Sequence, residues 1–206
     1  MLFHDLTTTL GWSAVVLGAI GTYAQFRRVT LYGVEGMSLA TWVVFVYLGL
    51  FWGAYGVVTN SWEMILGSLA TLPLQLAIVA RLAPVVRWRV SAGSLGAFGA
   101  LCVVPTLEWG WSGGIYGAGV VMALTRGPQL VELVRCEEAL GVSVGWWGLS
   151  AAAGVMWMAY YTGVRLWAAF AATAMAAVAS TLIALLATWR HQQSRDRRTV
   201  ETVFSG

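Results

Sequence analysis

Apolar residues in this chain come in long unbroken runs, not in the alternation of a half-buried strand or the one-sided stripe of a helix on a soluble core. Seven runs stand out, at 8–26, 39–58, 62–82, 92–107, 110–131, 145–163 and 166–189. A spanning helix needs about 20 mostly apolar residues, so the pattern predicts seven spans, with 92–107 the shortest. Continuous runs predict helices and not a barrel, whose strands alternate apolar with polar. The first run is followed by Arg27 and Arg28, with no small-residue cleavage pattern, and is expected to stay as a span.

The pattern also repeats. Gly36, Ser38, Trp42, Gly49, Trp52, Ala54, Tyr55 and Trp62 return 105 positions later as Gly141, Ser143, Trp147, Gly154, Trp157, Ala159, Tyr160 and Trp167. Matches at this fixed offset, three of them tryptophan, indicate a duplication. A three-helix unit ends on the side opposite to its start, so a second copy in the same orientation needs one extra crossing. The predicted organisation is therefore all-α and integral to the membrane. A first three-helix repeat (1–91) is followed by a linker helix (92–108), a second three-helix repeat (109–189) and a tail (190–206). Repeat symmetry lets one solute site open alternately to either side, which points to a transporter.

Composition agrees: 59% of residues are hydrophobic and only 10% charged, so the bilayer is the expected solvent. The charges then orient the chain. With the N-terminus outside, Arg27, Arg28, Arg81, Arg87, Arg89, Arg126, Arg135, Arg190, Arg195, Arg197 and Arg198 fall on the cytoplasmic side, and Arg165 alone faces outward. The net charge of +3 is thus a topological asymmetry and gives no case for nucleic acid, though the tail can contact anionic lipid. All basic residues are arginine; the lack of lysine excludes a retinal Schiff-base protein. With abundant Ala, Gly and Trp it suggests a GC-rich prokaryotic genome, hence a plasma membrane. Cys102, Cys136, His4 and His191 are scattered, which predicts no disulfide, metal, cofactor or catalytic constellation, and no enzyme.

Arg126-Gly-Pro-Gln129, then Gly141-Val-Ser143 and Trp157-Met-Ala-Tyr160, resembles a PQ-loop repeat. Ala24-Gln25, the stretch from Gly33 to Ser38, and Trp52-Gly-Ala-Tyr55 fill the same slots in the first half. The chain resembles the 3+1+3 transporters of the SWEET/MtN3 and PQ-loop type over both halves. The resemblance implies a passive alternating-access carrier for a small, neutral, polar solute, with sugars the best-known class. Two departures stand out. Such sugar carriers have a proline near the cytoplasmic end of the first two helices of each repeat, where this chain has Ala24, Thr41, Pro128 and Trp146. Their third-helix asparagines are replaced by Gly67-Ser68 and Ala172-Thr173.

The candidate site follows from these positions. Trp52 and Trp157, mid-span and in register, are expected to stack on a solute across a central cavity. Tyr55 and Tyr160, nearly one turn outward, either gate the outer mouth or bond across helices. Ser68, Thr71 and Gln75 form a polar stripe on run three, repeated by Thr173 and Ser180 on run seven. Such a stripe is costly toward lipid and should face inward, with Ser68 and Thr173 as hydrogen-bonding groups. Pro128 predicts a kink and a hinge, and Gln25 and Gln129 sit where an amide can satisfy freed backbone groups. Arg126 is expected to snorkel to the interface; aimed into the cavity, it would argue for an anionic solute. The expected partners are a small-molecule solute and membrane lipid, with homo-oligomerisation open. A proton-coupled amino-acid or organic-cation carrier and a non-transporting receptor or scaffold remain the alternatives.

Overall fold

The structure is a computed structural model that describes residues 2–82, 88–136 and 139–204. Arg87, Glu137 and Glu138 lie outside the described residues, as do the side chains of His4, Arg197 and Arg198. The chain is helical throughout, with no strand among the described residues. The helices are α1 (Leu2–Tyr32), α2 (Leu39–Thr59), α3 (Trp62–Leu82), α4 (Trp88–Phe98), α5 (Val104–Leu124), α6 (Arg126–Arg135), α7 (Val144–Gly163) and α8 (Trp167–Phe204). A π-helical turn, Gly99–Val103, joins α4 to α5.

Among the described residues four segments are long and apolar enough to cross a membrane: Leu39–Thr59, Trp62–Leu82, Ala92–Arg135 and Trp167–Arg195. The third holds two expected runs, and they are two antiparallel rods. Gly110 adopts φ 67° and ψ −165°, a backbone shape closed to side-chain-bearing residues, and reverses the chain. A Cβ added to Gly117 would overlap the Leu101 carbonyl, whereas in a straight helix those residues would stand about 24 Å apart. α1 and α7 hold the first and sixth expected runs but are not among the four. Their threonines, tryptophans and tyrosines dilute the apolar content.

Local chemistry explains the other boundaries. α2 and α7 start alike: the Ser38 and Ser143 hydroxyls accept from Thr41 N (3.4 Å) and Trp146 N (3.1 Å), capping orphan amides. Asn60, left-handed at φ 54°, ends α2 with its amide returned to the last turn. The run 110–131 was expected to kink near its cytoplasmic end through Pro128, and it breaks there: the break falls at Thr125, in the turn before Pro128, which is exposed in the first turn of α6. There its missing N–H and the lost bond to Leu124 cost least. The segment 190–206, read as a tail, continues α8 through Phe204. Arg190 donates to the Leu133 (3.1 Å) and Val134 (2.8 Å) carbonyls, satisfying the end of α6.

In each half the third helix packs on both others: α3 on α1 and α2, α8 on α5 and α7. α1 joins the halves through α7, and α4 lies against α2. The surface is apolar, with Leu50, Leu69, Val178 and Leu185 exposed, while Thr41, Gln25, Gln129, Thr173 and Ser180 are buried. Polar groups inside and leucines outside are consistent with an integral membrane protein.

Candidate functional site

At the end formed by the α1–α2 and α6–α7 loops, the two halves hold each other by the same device used twice. Gln25 of α1 donates from Nε2 to the Gly141 carbonyl (2.7 Å) and accepts at Oε1 from Ser143 N (2.9 Å). Gln129 of α6 donates from Nε2 to the Gly36 carbonyl (2.6 Å) and accepts from Ser38 N (2.9 Å). Each amide therefore satisfies one carbonyl and one N–H of the opposite half, in a buried setting where leaving them unmade is expensive. Thr41 Oγ1 adds a bond to the Thr125 carbonyl (2.9 Å), at the break between α5 and α6. Trp42, Phe45, Trp146 and Trp147 fill the space above in tilted and edge contacts, with Trp42 and Trp146 centroids 4.9 Å apart. This end is closed.

Above that seal lie two adjoining chambers between the halves. The first, about 220 Å³, is bordered by Trp52, Ser68, Thr71, Gln75, Arg126 and Trp157. The second, about 200 Å³, shares Thr71, Gln75, Arg126 and Trp157 and adds Thr22 and Thr173. Glycines make the room: Gln75 Oε1 lies only 3.2 Å from where a Cβ on Gly49 would sit, and the Ser68 Cβ 3.2 Å from one on Gly53. Two polar atoms here are fully buried without a hydrogen-bond partner among the described residues, Gln75 Oε1 and Thr173 Oγ1. Each awaits a donor or acceptor. Thr71 is different, because its hydroxyl is spent on the Gly67 carbonyl (2.9 Å).

Arg126 corrects the expectation of snorkelling. Only 8% of it is exposed, and it borders both chambers. The cause is local: Nε donates to Ser180 Oγ (3.3 Å), Nη1 to the Met122 carbonyl, and the guanidinium carbon lies 5.4 Å from the Phe45 ring centre. Those three contacts draw the side chain inward, where the expectation had it reaching along the helix toward headgroups.

Toward the end formed by the α2–α3 and α7–α8 turns, the aromatic pairs close ranks. Trp52 meets Tyr55 edge-on at 5.9 Å, Trp157 meets Tyr160 edge-on at 5.4 Å, and Trp157 stacks on Tyr161 at 5.7 Å. Beyond them is a wider vestibule of about 810 Å³ bordered by Trp62, Glu63 and Tyr160 among others. Glu63 borders the first chamber as well, and its carboxylate accepts from Ser61 Oγ at 3.1 Å.

Trp52, Trp157, Ser68 and Thr173 are thus brought to the chambers. Tyr55 and Tyr160 are not: Tyr55 packs on Trp111 (5.5 Å), and Tyr160 borders the vestibule. Gln25 and Gln129 lie at the clamped end, bonded to the other half and not to their own helix breaks. Residue patterns alone passed over Phe45, Met122, Tyr161 and Glu63 as cavity residues; the signal that could have found Arg126 is its position inside an apolar run. Among the described residues no group of His, Cys, Asp or Glu side chains could hold a metal ion. In comparisons with protein-family models, curated proteins and solved structures, nothing matches the chain.

Proposed function

We propose that the chain is a membrane carrier of the SWEET and PQ-loop type, with seven spans arranged 3+1+3, that moves a small polar solute down its gradient by alternating access. The N-terminus is outside and the C-terminus cytoplasmic, which puts the clamped end in the cytoplasm. One observation carries the reading: a mainly apolar cavity that carries a few polar side chains lies between two halves, walled by the equivalent residues Trp52 and Trp157 and closed at one end by reciprocal, breakable hydrogen bonds. Alternating access needs a central site and a closure that can be exchanged for another. The clamps and Trp42, Phe45, Trp146 and Trp147 supply one closure; the tyrosine layer, drawn together, supplies the other.

The chambers bind by stacking on tryptophan faces and by hydrogen bonds from Ser68, Gln75 and Thr173, which suits the hydroxyl-bearing solutes that the resemblance implies. One feature favours a coupled variant as the second reading: Glu63, a carboxylate shared by vestibule and cavity, is a protonatable group on the path. Uptake of labelled sugars, sugar acids and amino acids into proteoliposomes, with and without a pH gradient, tests both. Saturable, gradient-independent entry that falls about ten-fold or more in Trp157→Ala, and less in Trp52→Ala, is expected, since Trp157 borders both chambers and Trp52 one. Entry that depends on the gradient and on Glu63 moves the protein to the coupled reading, and no entry of any solute removes the carrier reading.

A further inference from the structure

The two halves share a clamp but not a cavity floor. Ser180 is the counterpart of Gln75, 105 positions on, and Arg126 faces Ser180 in the second half, while the first half has neutral Thr22 near Gln75. The duplication was broken by one charge. Resting on the carrier reading, we propose that the transported solute is a hydroxylated carboxylate, and that Arg126 is the residue that holds its anionic group.

A guanidinium has five N–H donors and stays charged in protein interiors. Nε is taken by Ser180 and one Nη1 hydrogen by the Met122 carbonyl; Nη2 has no bonded partner among the described residues. No carboxylate among the described residues pairs with it, and the acidic residue that borders its chamber stands far off. Glu63 is twelve residues before Gln75 on α3, about 18 Å along the helix, and is engaged with Ser61. A buried cation with no anion is strongly disfavoured unless a partner arrives. Ser180 keeps the fork in place, because its own hydroxyl proton goes to the Ala176 carbonyl (2.8 Å) and its lone pair is left for Arg126. The free edge of the fork suits the paired oxygens of a carboxylate.

The remaining groups describe the rest of the solute. Gln75 Oε1 is a buried acceptor without a donor and Thr173 Oγ1 a buried hydroxyl without a partner, so hydroxyl groups beside the carboxylate complete both once these side chains turn toward the chambers they border. Trp52 and Trp157 cover the carbon skeleton. An α-amino acid fits poorly, since its two charges share one carbon and cannot reach Arg126 and Glu63 together.

The test uses matched pairs that differ in charge: gluconate against sorbitol, and glycerate against glycerol. Binding of each labelled compound is measured on the purified full-length protein in detergent, and entry is measured in proteoliposomes. The acid of each pair is expected to bind about ten-fold tighter or more than the alcohol. Arg126→Gln removes that preference, Arg126→Lys keeps part of it as a point charge without the fork, and Thr173→Val weakens both members alike. If Arg126→Gln does not fold, the pairs on the unaltered protein and on Arg126→Lys decide. Equal binding, preference for the alcohols, or no binding of either overturns the inference. Acid binding that depends on Arg126 without entry supports the anion site and removes the carrier reading. Entry of both acid and alcohol with equal binding keeps the carrier and removes the anion site.

Discussion

The two halves of this chain are most alike at the end that closes and least alike in the cavity that closure protects. At the closed end Gln25 and Gln129 make the same pair of bonds to the opposite half, within 0.1 Å of each other, and Ser38 and Ser143 cap their helices in the same way. At the cavity, Thr22 is the counterpart of Arg126, and Gln75, which borders both chambers, is the counterpart of Ser180, which is buried beside Arg126. In the proposed carrier the closed end is a gate that works on backbone groups, which both halves possess, so symmetry would survive there. The proposed binding site serves one solute, which has no two-fold axis, so symmetry would be lost there.

The largest effect expected is at the clamps. Replacing Gln25 or Gln129 by Leu keeps the volume but strands one buried carbonyl and one buried N–H, about 1–3 kcal/mol each and so about 2–6 kcal/mol per clamp. Because the two clamps make the same bonds across the halves and differ only by a weak contact of Gln25 Nε2 to Met37 Sδ (3.4 Å), Gln25→Leu and Gln129→Leu should lower the melting temperature in detergent by nearly the same amount. Each should also raise hydrogen exchange at the amide it serves, Ser143 or Ser38. If one variant is nearly silent while the other collapses, the halves are not mechanically equivalent and the symmetric gate is wrong.

The clamp partners were only half legible in the sequence. The repeat, the helical runs and the inward polar stripe could all be read, because they depend on composition and period, which a linear pattern carries. Gln25 and Gln129 were found as a pair but assigned to their own helix breaks, since nothing in the sequence says that two loops over 90 positions away supply the partners. Arg126 was sent to the headgroups for a related reason. Snorkelling depends on the helix alone, whereas burial depends on Ser180 of α8 and Phe45 of α2, and tertiary contacts have no local signature. Tyr55 and Tyr160 were near the cavity in sequence but are turned to the aromatic layer, because one residue of helical rotation decides between lining and packing.

A smaller effect separates two glycines that the repeat makes equivalent. Gly36 has φ 77°, a left-handed shape that any Cβ opposes by about 1–2 kcal/mol. Gly141 is needed for a different reason. A Cβ there would stand 2.6 Å from the Gly33 carbonyl oxygen and 2.8 Å from that of Glu35, where the loops of the two halves touch and Gly141 N bonds the Glu35 carbonyl (3.0 Å). Gly141→Ala should therefore force the loops apart, at about 1–3 kcal/mol, and expose Cys136 at the clamped end to a water-soluble thiol-directed reagent, whereas Gly36→Ala strains one loop without parting them. Equal exposure in both variants would mean that the close approach of the loops plays no part in closure.

The smallest effect lies where the loops differ in length. Residues 33–38 join α1 to α2, while 136–143 join α6 to α7, and the longer connection begins with Cys136. Burial, and then the bond its thiol donates to Glu132 Oε1 (3.2 Å), push Cys136 up from an ordinary value near 9 to about 11. A raised thiol is protonated in both folded and unfolded chains below pH 9, so its contribution to stability is whole there and fades as pH rises from 9 through 11. Labelling by iodoacetamide should accordingly be slow at pH 8 and accelerate up to about pH 11, and Glu132→Gln should shift the rise to lower pH. Cys102, fully buried, should stay unlabelled throughout and serve as the internal reference. A Cys136 that labels fast at pH 8 in the intact protein would show that the longer loop opens on its own. In that case the second half, and not both halves equally, sets how often the closed end gives way.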